Sequence, residues 1–300
     1  MIQQPGVVLP MRPDPRAVIT LLKPITWFPP MWAFGCGVVS VWSADTSDWK
    51  LVILGLILAG PLVCGTSQAV NDWFDRHVDA INEPGRPIPS GRIPNQWGLY
   101  IAIIWTLVSL AVAAILGFWV FIAAAFGLLL AWIYSAPPLR LKKNGWWGNS
   151  AVGICYEGLP WFTAAAVLSS DLPDWRIITL AALYSLGAHG IMTLNDFKSM
   201  EGDSRMGLRS IPVQLGVKRA ALLACAVMLL PQIVVIALLS GWGHPIHAAM
   251  VVMLALLQVW RMRRLLKQPK ELAPWYNATG VSLFVLGMLV SAFALQSGAV

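Results

Sequence analysis

Nine apolar runs, each about long enough to cross roughly 30 Å of hydrocarbon as a helix, decide what this chain can become. They lie at about 27–43, 51–70, 98–116, 118–134, 150–169, 176–194, 219–240, 246–260 and 278–296. Inside a bilayer every backbone N–H and C=O needs an internal partner, so runs of this kind become helices. The sequence therefore predicts an all-α integral membrane protein of about nine transmembrane helices. Charged residues make up 12% of the chain and hydrophobic residues 57%. A soluble domain carries about a quarter charged residues, so the shell that a soluble fold of this size needs is missing.

Charge placement orients the spans. With the N-terminus in the cytoplasm, 19 of the 21 Lys and Arg fall in an N-terminal arm (1–24) or in cytoplasmic loops, leaving only Lys50 and Arg176 outside. That asymmetry satisfies the positive-inside rule with an N-in/C-out topology. The net charge of +7 is then a topology signal and no argument for nucleic acid. Residues 1–300 read as a single transmembrane domain. Prolines and arginines interrupt the first twenty residues, so targeting is expected through the first span and not through a cleaved secretion signal. Cys36, Cys64, Cys155 and Cys225 are isolated in or beside apolar runs, a spacing that suits neither a disulfide framework nor a zinc site.

The chemistry-bearing residues gather in the cytoplasmic loops. At the end of the second span the chain reads NDWFDRHVDAINEPGRPIPSGR (71–92). On a helix, Asn71, Asp75 and Asp79 project at roughly 0°, 40° and 80°, and Asp72 at roughly 100°, with neighbours in the row about 6 Å apart. Four oxygen donors on one arc are costly beside a membrane unless a cation sits between them. Hard oxygen donors select Mg²⁺, which keeps waters and shares its remaining positions with substrate phosphates. A second segment, NDFKSMEGDSRMGLRSIP (195–212), ends the sixth span. If its helix persists past Gly202, Asp196, Ser199 and Asp203 lie within roughly 60° of one another. Both segments end helices of like direction, so they are expected to face each other across a central cavity and to hold Mg²⁺ on a diphosphate. Arg86, Arg92, Arg140, Lys142, Lys143, Lys198 and Arg209 lie on the same side and can stabilise a leaving diphosphate.

Paired aspartate-rich motifs on about nine helices resemble the intramembrane prenyltransferase superfamily typified by 4-hydroxybenzoate polyprenyltransferase. NDWFDRHVDAINEPGRPIPSG and NDFKSMEGDSRMGL are similar, more narrowly, to its (bacterio)chlorophyll synthase branch, in a bacterial form, over nearly the whole chain. Many superfamily members carry an acid where this chain has Ser199, so the second cluster relies on Asp196 and Asp203. The resemblance implies a Mg²⁺-dependent transfer of a geranylgeranyl or phytyl group from its diphosphate to the propionate of (bacterio)chlorophyllide. It implies Asp75, Asp79, Asp196 and Asp203 as catalytic residues, with Asn71 and Asp72 joining them as metal ligands. For the diphosphate it favours Arg86 and Lys142, with Arg140, Lys198 and Arg209 beside them. It further implies a bacterial inner membrane setting, membrane lipid and other pigment-synthesis proteins as partners, and an active site facing the cytoplasm.

Two residues within spans stand apart. His189 precedes Asp196 by two turns and could ligate the central metal of a chlorin, or pack as a hydrogen-bonded core histidine. Glu157 is an intramembrane acid and so a functional candidate without a role. Three rival readings remain: prenyl transfer to an aromatic quinone or haem precursor; a membrane transporter or ion channel, which would place acids along a path through both leaflets; and a non-catalytic pigment-binding assembly protein, which would leave the twin acidic clusters unexplained.

Overall fold

The computed structural model describes residues 12–43 and 48–296, and of the expected N-terminal arm residues 1–11 lie outside the described residues. Every apolar run becomes helical. A short amphipathic helix, α1 (Pro15–Leu22), is capped by the Asp14 carboxylate on the Arg16 amide and leads into α2 (Phe28–Val41). Among the described residues eight helices are long and apolar enough to cross a membrane. In chain order they are α3 (Trp49–Asn82), α4 (Trp97–Leu116), α5 (Phe118–Ser135), α6 (Gly145–Ser169), α7 (Trp175–Lys198), then α10 (Val217–Gly241), α11 (Pro245–Leu265) and α12 (Pro269–Gln296). Between α7 and α10 lie two short helices, α8 (Met200–Arg205) and α9 (Ile211–Leu215). The first expected span is the exception in length: α2 has 14 residues, about 21 Å of rise, so the expected ninth crossing rests on this one shorter element.

Large apolar side chains such as Leu107, Ile115, Leu230 and Leu256 are more than half exposed on the outer faces of the bundle. On a soluble protein such a surface would be a sticky patch; around these helices it is the lipid-facing side. With lipid outside, burial of apolar surface does not by itself drive helix against helix, and small residues and polar bonds hold the bundle. Gln232 on α10 and Gln258 on α11 exchange two amide hydrogen bonds of 2.9 and 3.2 Å. The Tyr184 and Ser291 hydroxyls join α7 to α12 at 2.9 Å, and Trp161 Nε1 on α6 donates to Ser40 on α2 at 3.0 Å.

Two spans widen in mid-membrane. Leu58–Cys64 in α3 and Ile154–Gly158 in α6 are π-helical turns. Pro61 and Pro160 have no N–H to return to residues 57 and 156, which removes the ordinary i−4 bond at each place. The wider turn bulges the backbone and re-aims the side chains around it.

Helices α2 and α6 approach closely at Gly37. A Cβ there would collide with the Trp161 carbonyl and meet Ala164 Cβ at 2.7 Å, whereas one on Gly35 would meet nothing within 4 Å. Gly37→Val should therefore lower the thermal midpoint in detergent, by about 1–3 kcal/mol of overpacking, while Gly35→Val leaves it within about 0.5 kcal/mol. Equal midpoints for the two variants would refute this packing.

Candidate functional site

The first acidic segment lies on an unbroken helix, Gly65–Asn82, within α3, so Asn71, Asp75 and Asp79 form one row as the 3.6-residue period requires. The row, with Asp72 beside it, meets cations from three other places in the chain. Asp75 takes Arg140 Nη2 on Oδ1 at 3.0 Å and Lys142 Nζ on Oδ2 at 2.6 Å. Asp79 Oδ2 accepts from Arg86 Nη1 at 2.9 Å. Asp72, 1% exposed, turns to the neighbouring flank, where Lys23 Nζ reaches its Oδ1 at 2.7 Å and Arg86 Nη1 at 3.3 Å. Its Oδ2 is buried without a partner.

Arg86 is the hub of this group. Its fork also grips Glu83, Nε to Oε2 at 2.7 Å and Nη2 to Oε1 at 2.8 Å, a bidentate geometry open to Arg and closed to Lys. Those bonds hold the Glu83 carboxyl below its usual range. Arg92 braces the same loop by donating to the Gly85 carbonyl at 2.8 Å. On the opposite flank, burial pushes the Lys142 ammonium below the usual lysine value, with Asp75 working against that shift. Arg140 adopts φ 40° and ψ 62°, a left-handed conformation uncommon for a side chain of this size, and its guanidinium lands on Asp75.

The second segment departs from the expected continuous helix. The regular part of α7 ends at Asn195, tightens over Asp196–Lys198 and breaks at Ser199 before α8 begins. Asp196, Ser199 and Asp203 therefore do not share a helical arc. Instead Ser199 Oγ donates to Asp203 Oδ2 at 3.0 Å, and Asn149 Nδ2 on α6 donates to Asp196 Oδ2 at 3.1 Å. The Ser199 hydroxyl thus orients the Asp203 carboxylate, and the Asn149 amide that of Asp196.

The two segments come to the same end of the bundle. Gly145 N–H donates to the Arg209 carbonyl and Arg209 N–H to the Lys143 carbonyl, each at 2.8 Å, which ties the Arg140–Lys142 loop to the chain after Asp203. Tyr134 lines one cavity with Asn71 of the first segment and with Met192, one turn before Asp196. Lys198 and Arg209 are exposed and make no ion pair among the described residues. Lys23, Tyr134 and Asn149 escaped the sequence reading. Lys23 registered there only as a topology charge, and a polar Asn149 at the head of an apolar run was the one available hint.

Below Asp75 the site opens into an apolar cavity of about 220 Å³. Ser67, Gln68, Asn71 and Tyr134 form its polar end, and residues of both widened turns, among them Leu58 and Cys155, line its depth. Asn71 Nδ2 is held by Ser135 Oγ at 3.1 Å. His189 lies elsewhere: it is 5% exposed, packs against the Trp146 ring at 5.8 Å, and lines a separate apolar cavity of about 440 Å³ between α6 and α7.

The donor set suits Mg²⁺. All candidate ligands are hard oxygens, and among the described residues no three acidic, His or Cys side chains gather on one point. Mg²⁺ is commonly held by one or two carboxylates per ion, with waters and substrate phosphates completing its octahedron.

Residues 27–286 match the UbiA prenyltransferase family. The bacteriochlorophyll synthase 33 kDa chain of Cereibacter sphaeroides is 60% identical over 284 residues, covering 95% of this chain and 94% of that one. The chloroplastic chlorophyll synthase of Oryza sativa is 40% identical, covering 92% of this chain and 76% of that one. In fold, the chain is similar to a UbiA homolog from Archaeoglobus fulgidus bound to DMAPP and Mg²⁺, with a TM-score of 0.71 at 19% identity, covering 94% of this chain and 99% of that one.

Arg86→Leu strands the buried Asp79 without its cation and should cost about 3 kcal/mol, the loss typical of breaking a buried pair from one side. Adding Asp79→Asn removes the stranded charge, so the double variant should unfold closer to the wild type than the single one does. Additive losses in a thermal unfolding cycle would show that the two groups are not coupled.

Proposed function

The chain belongs to the UbiA prenyltransferase family, and from that premise we propose that it transfers a geranylgeranyl or phytyl group from its diphosphate to the propionate carboxylate of a (bacterio)chlorophyllide. The observation that carries this reading is the full-length similarity to the Cereibacter bacteriochlorophyll synthase chain. An apolar cavity that meets the first acidic segment at Asn71, with Arg140 and Lys142 paired to Asp75 one helical turn further on, supports it. In this reading the site faces the cytoplasm from a bacterial inner membrane.

Asn71, Asp72, Asp75 and Asp79 would hold Mg²⁺ from one side, and Asp196 and Asp203 from the other. When bound, the metal neutralises the diphosphate and makes it a better leaving group. Arg86, Arg140 and Lys142 add fixed positive charge where negative charge develops. The C1–O bond of the prenyl diphosphate breaks and its electron pair leaves with the diphosphate. A lone pair of the propionate oxygen then forms the new C–O bond at C1. A carboxylate with an ordinary pKa is already ionised at neutral pH, so no general base is needed. The apolar cavity below Asn71 takes the prenyl chain and keeps water from the allylic cation.

With purified protein in detergent, prenyl transfer should require Mg²⁺ and stop with EDTA. Asp75→Asn should lower kcat/KM by about 100-fold or more, the scale for losing a preorganised charge contact. Undiminished turnover in either case sinks the metal scheme. Offering chlorophyllide and 4-hydroxybenzoate in competition should yield the tetrapyrrole ester; a prenylated benzoate would overturn the assigned acceptor.

A further inference from the structure

A third cavity, of about 260 Å³, lies between α2, α6, α7 and α12, and the reaction scheme leaves it without a role. Phe28, Trp32, Tyr156, Glu157, Asn195 and Asn277 are among its lining residues. Glu157 is 5% exposed, and its Oε2 has no hydrogen-bond partner. The Oδ1 of Asn277 is buried and equally unpartnered, while its Nδ2 donates to Asn195 Oδ1 at 2.6 Å. Buried oxygens without a partner are uncommon and costly. Two on the wall of one cavity call for a ligand that brings a hydrogen-bond donor or a metal cation.

Position narrows the ligand. Asn195 precedes Asp196 in the second acidic segment, so the cavity adjoins one side of the diphosphate site. Val152, Tyr156 and Met192 line both this cavity and the one assigned to the prenyl chain, so these side chains are a shared partition. A bond made between two substrates needs such neighbouring chambers. Phe28 and Trp32 stack at 6.0 Å with 30° between their planes, and Trp32 is anchored by a 3.1 Å bond from Nε1 to the Val285 carbonyl. Together they give this side of the cavity an aromatic wall. The His189 cavity, by contrast, shares only Leu159 with the prenyl cavity and includes neither acidic segment.

We propose that this cavity receives the acceptor, a magnesium tetrapyrrole, with the ring against Phe28 and Trp32 and the metal's axial face toward Glu157 and Asn277. The inference rests on the proposed prenyl transfer to (bacterio)chlorophyllide. Magnesium in a planar ring retains an axial position that takes a hard oxygen, either a side-chain oxygen or a water that donates to one. A water on the metal carries two O–H donors, one for each of the orphaned oxygens.

The test measures binding of magnesium and metal-free chlorophyllide to purified protein by absorption and fluorescence, without prenyl diphosphate, alongside KM for both substrates. Glu157→Leu should weaken the magnesium ring at least tenfold and leave the metal-free ring within twofold, with KM for the prenyl diphosphate also within twofold. Glu157→Gln keeps the shape of the wall and should give a smaller loss, again confined to the metallated ring. Val281→Trp fills the cavity from α12 and should weaken both rings at least tenfold. Wild-type turnover of the tetrapyrrole with unchanged binding in Glu157→Leu and Val281→Trp overturns this inference alone. Equal losses for both rings in Glu157→Leu overturn the axial role. A wild type that esterifies no tetrapyrrole overturns the functional reading, and this inference with it.

Discussion

Carboxylates cannot stand uncompensated at the end of a membrane helix, and the architecture of the polar end of this protein follows from that constraint. Asp75 and Asp79 stand one helical turn apart with Asp72 beside them. At about 6 Å and an effective dielectric of about 20, two such charges repel by roughly 3 kcal/mol. The chain answers with Lys23 from the arm, Arg86 from the loop after α3, and Arg140 and Lys142 from the loop after α5. Each ion pair also fastens a connecting segment to α3. Organising the site and organising this end of the fold are one operation.

The same cations then acquire a second use in the proposed reaction. A guanidinium or ammonium that neutralises Asp75 or Asp79 before substrate arrives is already held on the helix whose Asn71 borders the apolar cavity. Metal–diphosphate binding supplies the acids with new cations and the basic groups with new anions, so partners can be exchanged with little change in local charge. Lys142 is the group best suited to this exchange. Its ammonium is largely removed from water and paired with Asp75 at 2.6 Å, so a diphosphate oxygen in place of Asp75 would be met by a donor that is poorly hydrated and correspondingly strong.

Local periodicity carried the sequence reading wherever the helix was continuous. All nine apolar runs are helical, and the row Asn71, Asp75, Asp79 was legible because Gly65–Asn82 is one unbroken helix. The same arithmetic failed for Asp196, Ser199 and Asp203, since the chain leaves the helical path at Ser199. What joins Lys23 to Asp72 or Asn149 to Asp196 is tertiary packing across 49 and 47 residues. No window of sequence contains such a contact. Charge counting still grouped these cations with the acidic segments, and for that reason Arg86, Arg140 and Lys142 were among the candidates although their individual partners were not visible.

The widened turn of α6 shows how a small backbone irregularity divides one space into several. Successive residues of a regular helix point about 100° apart, so three or four of them cannot all face a single chamber. Around Ile154–Gly158, Cys155 lines the prenyl-side cavity, Glu157 lines the cavity of the two orphaned oxygens, and Ile154 and Gly158 line that of His189. Within this turn, Tyr156 borders both of the first two, as Val152 and Met192 do outside it. A turn with i→i+5 bonding makes room for this division, because the bulge moves the backbone off the helix axis at the depth where the chambers meet. Proline 160 fixes where the bulge occurs, and Gly158, whose Cβ would run into Ser185 Oγ on α7, lets the displaced backbone come to rest against its neighbour. The partition between the two proposed chambers is therefore shaped by backbone geometry, with Val152, Tyr156 and Met192 as its side chains.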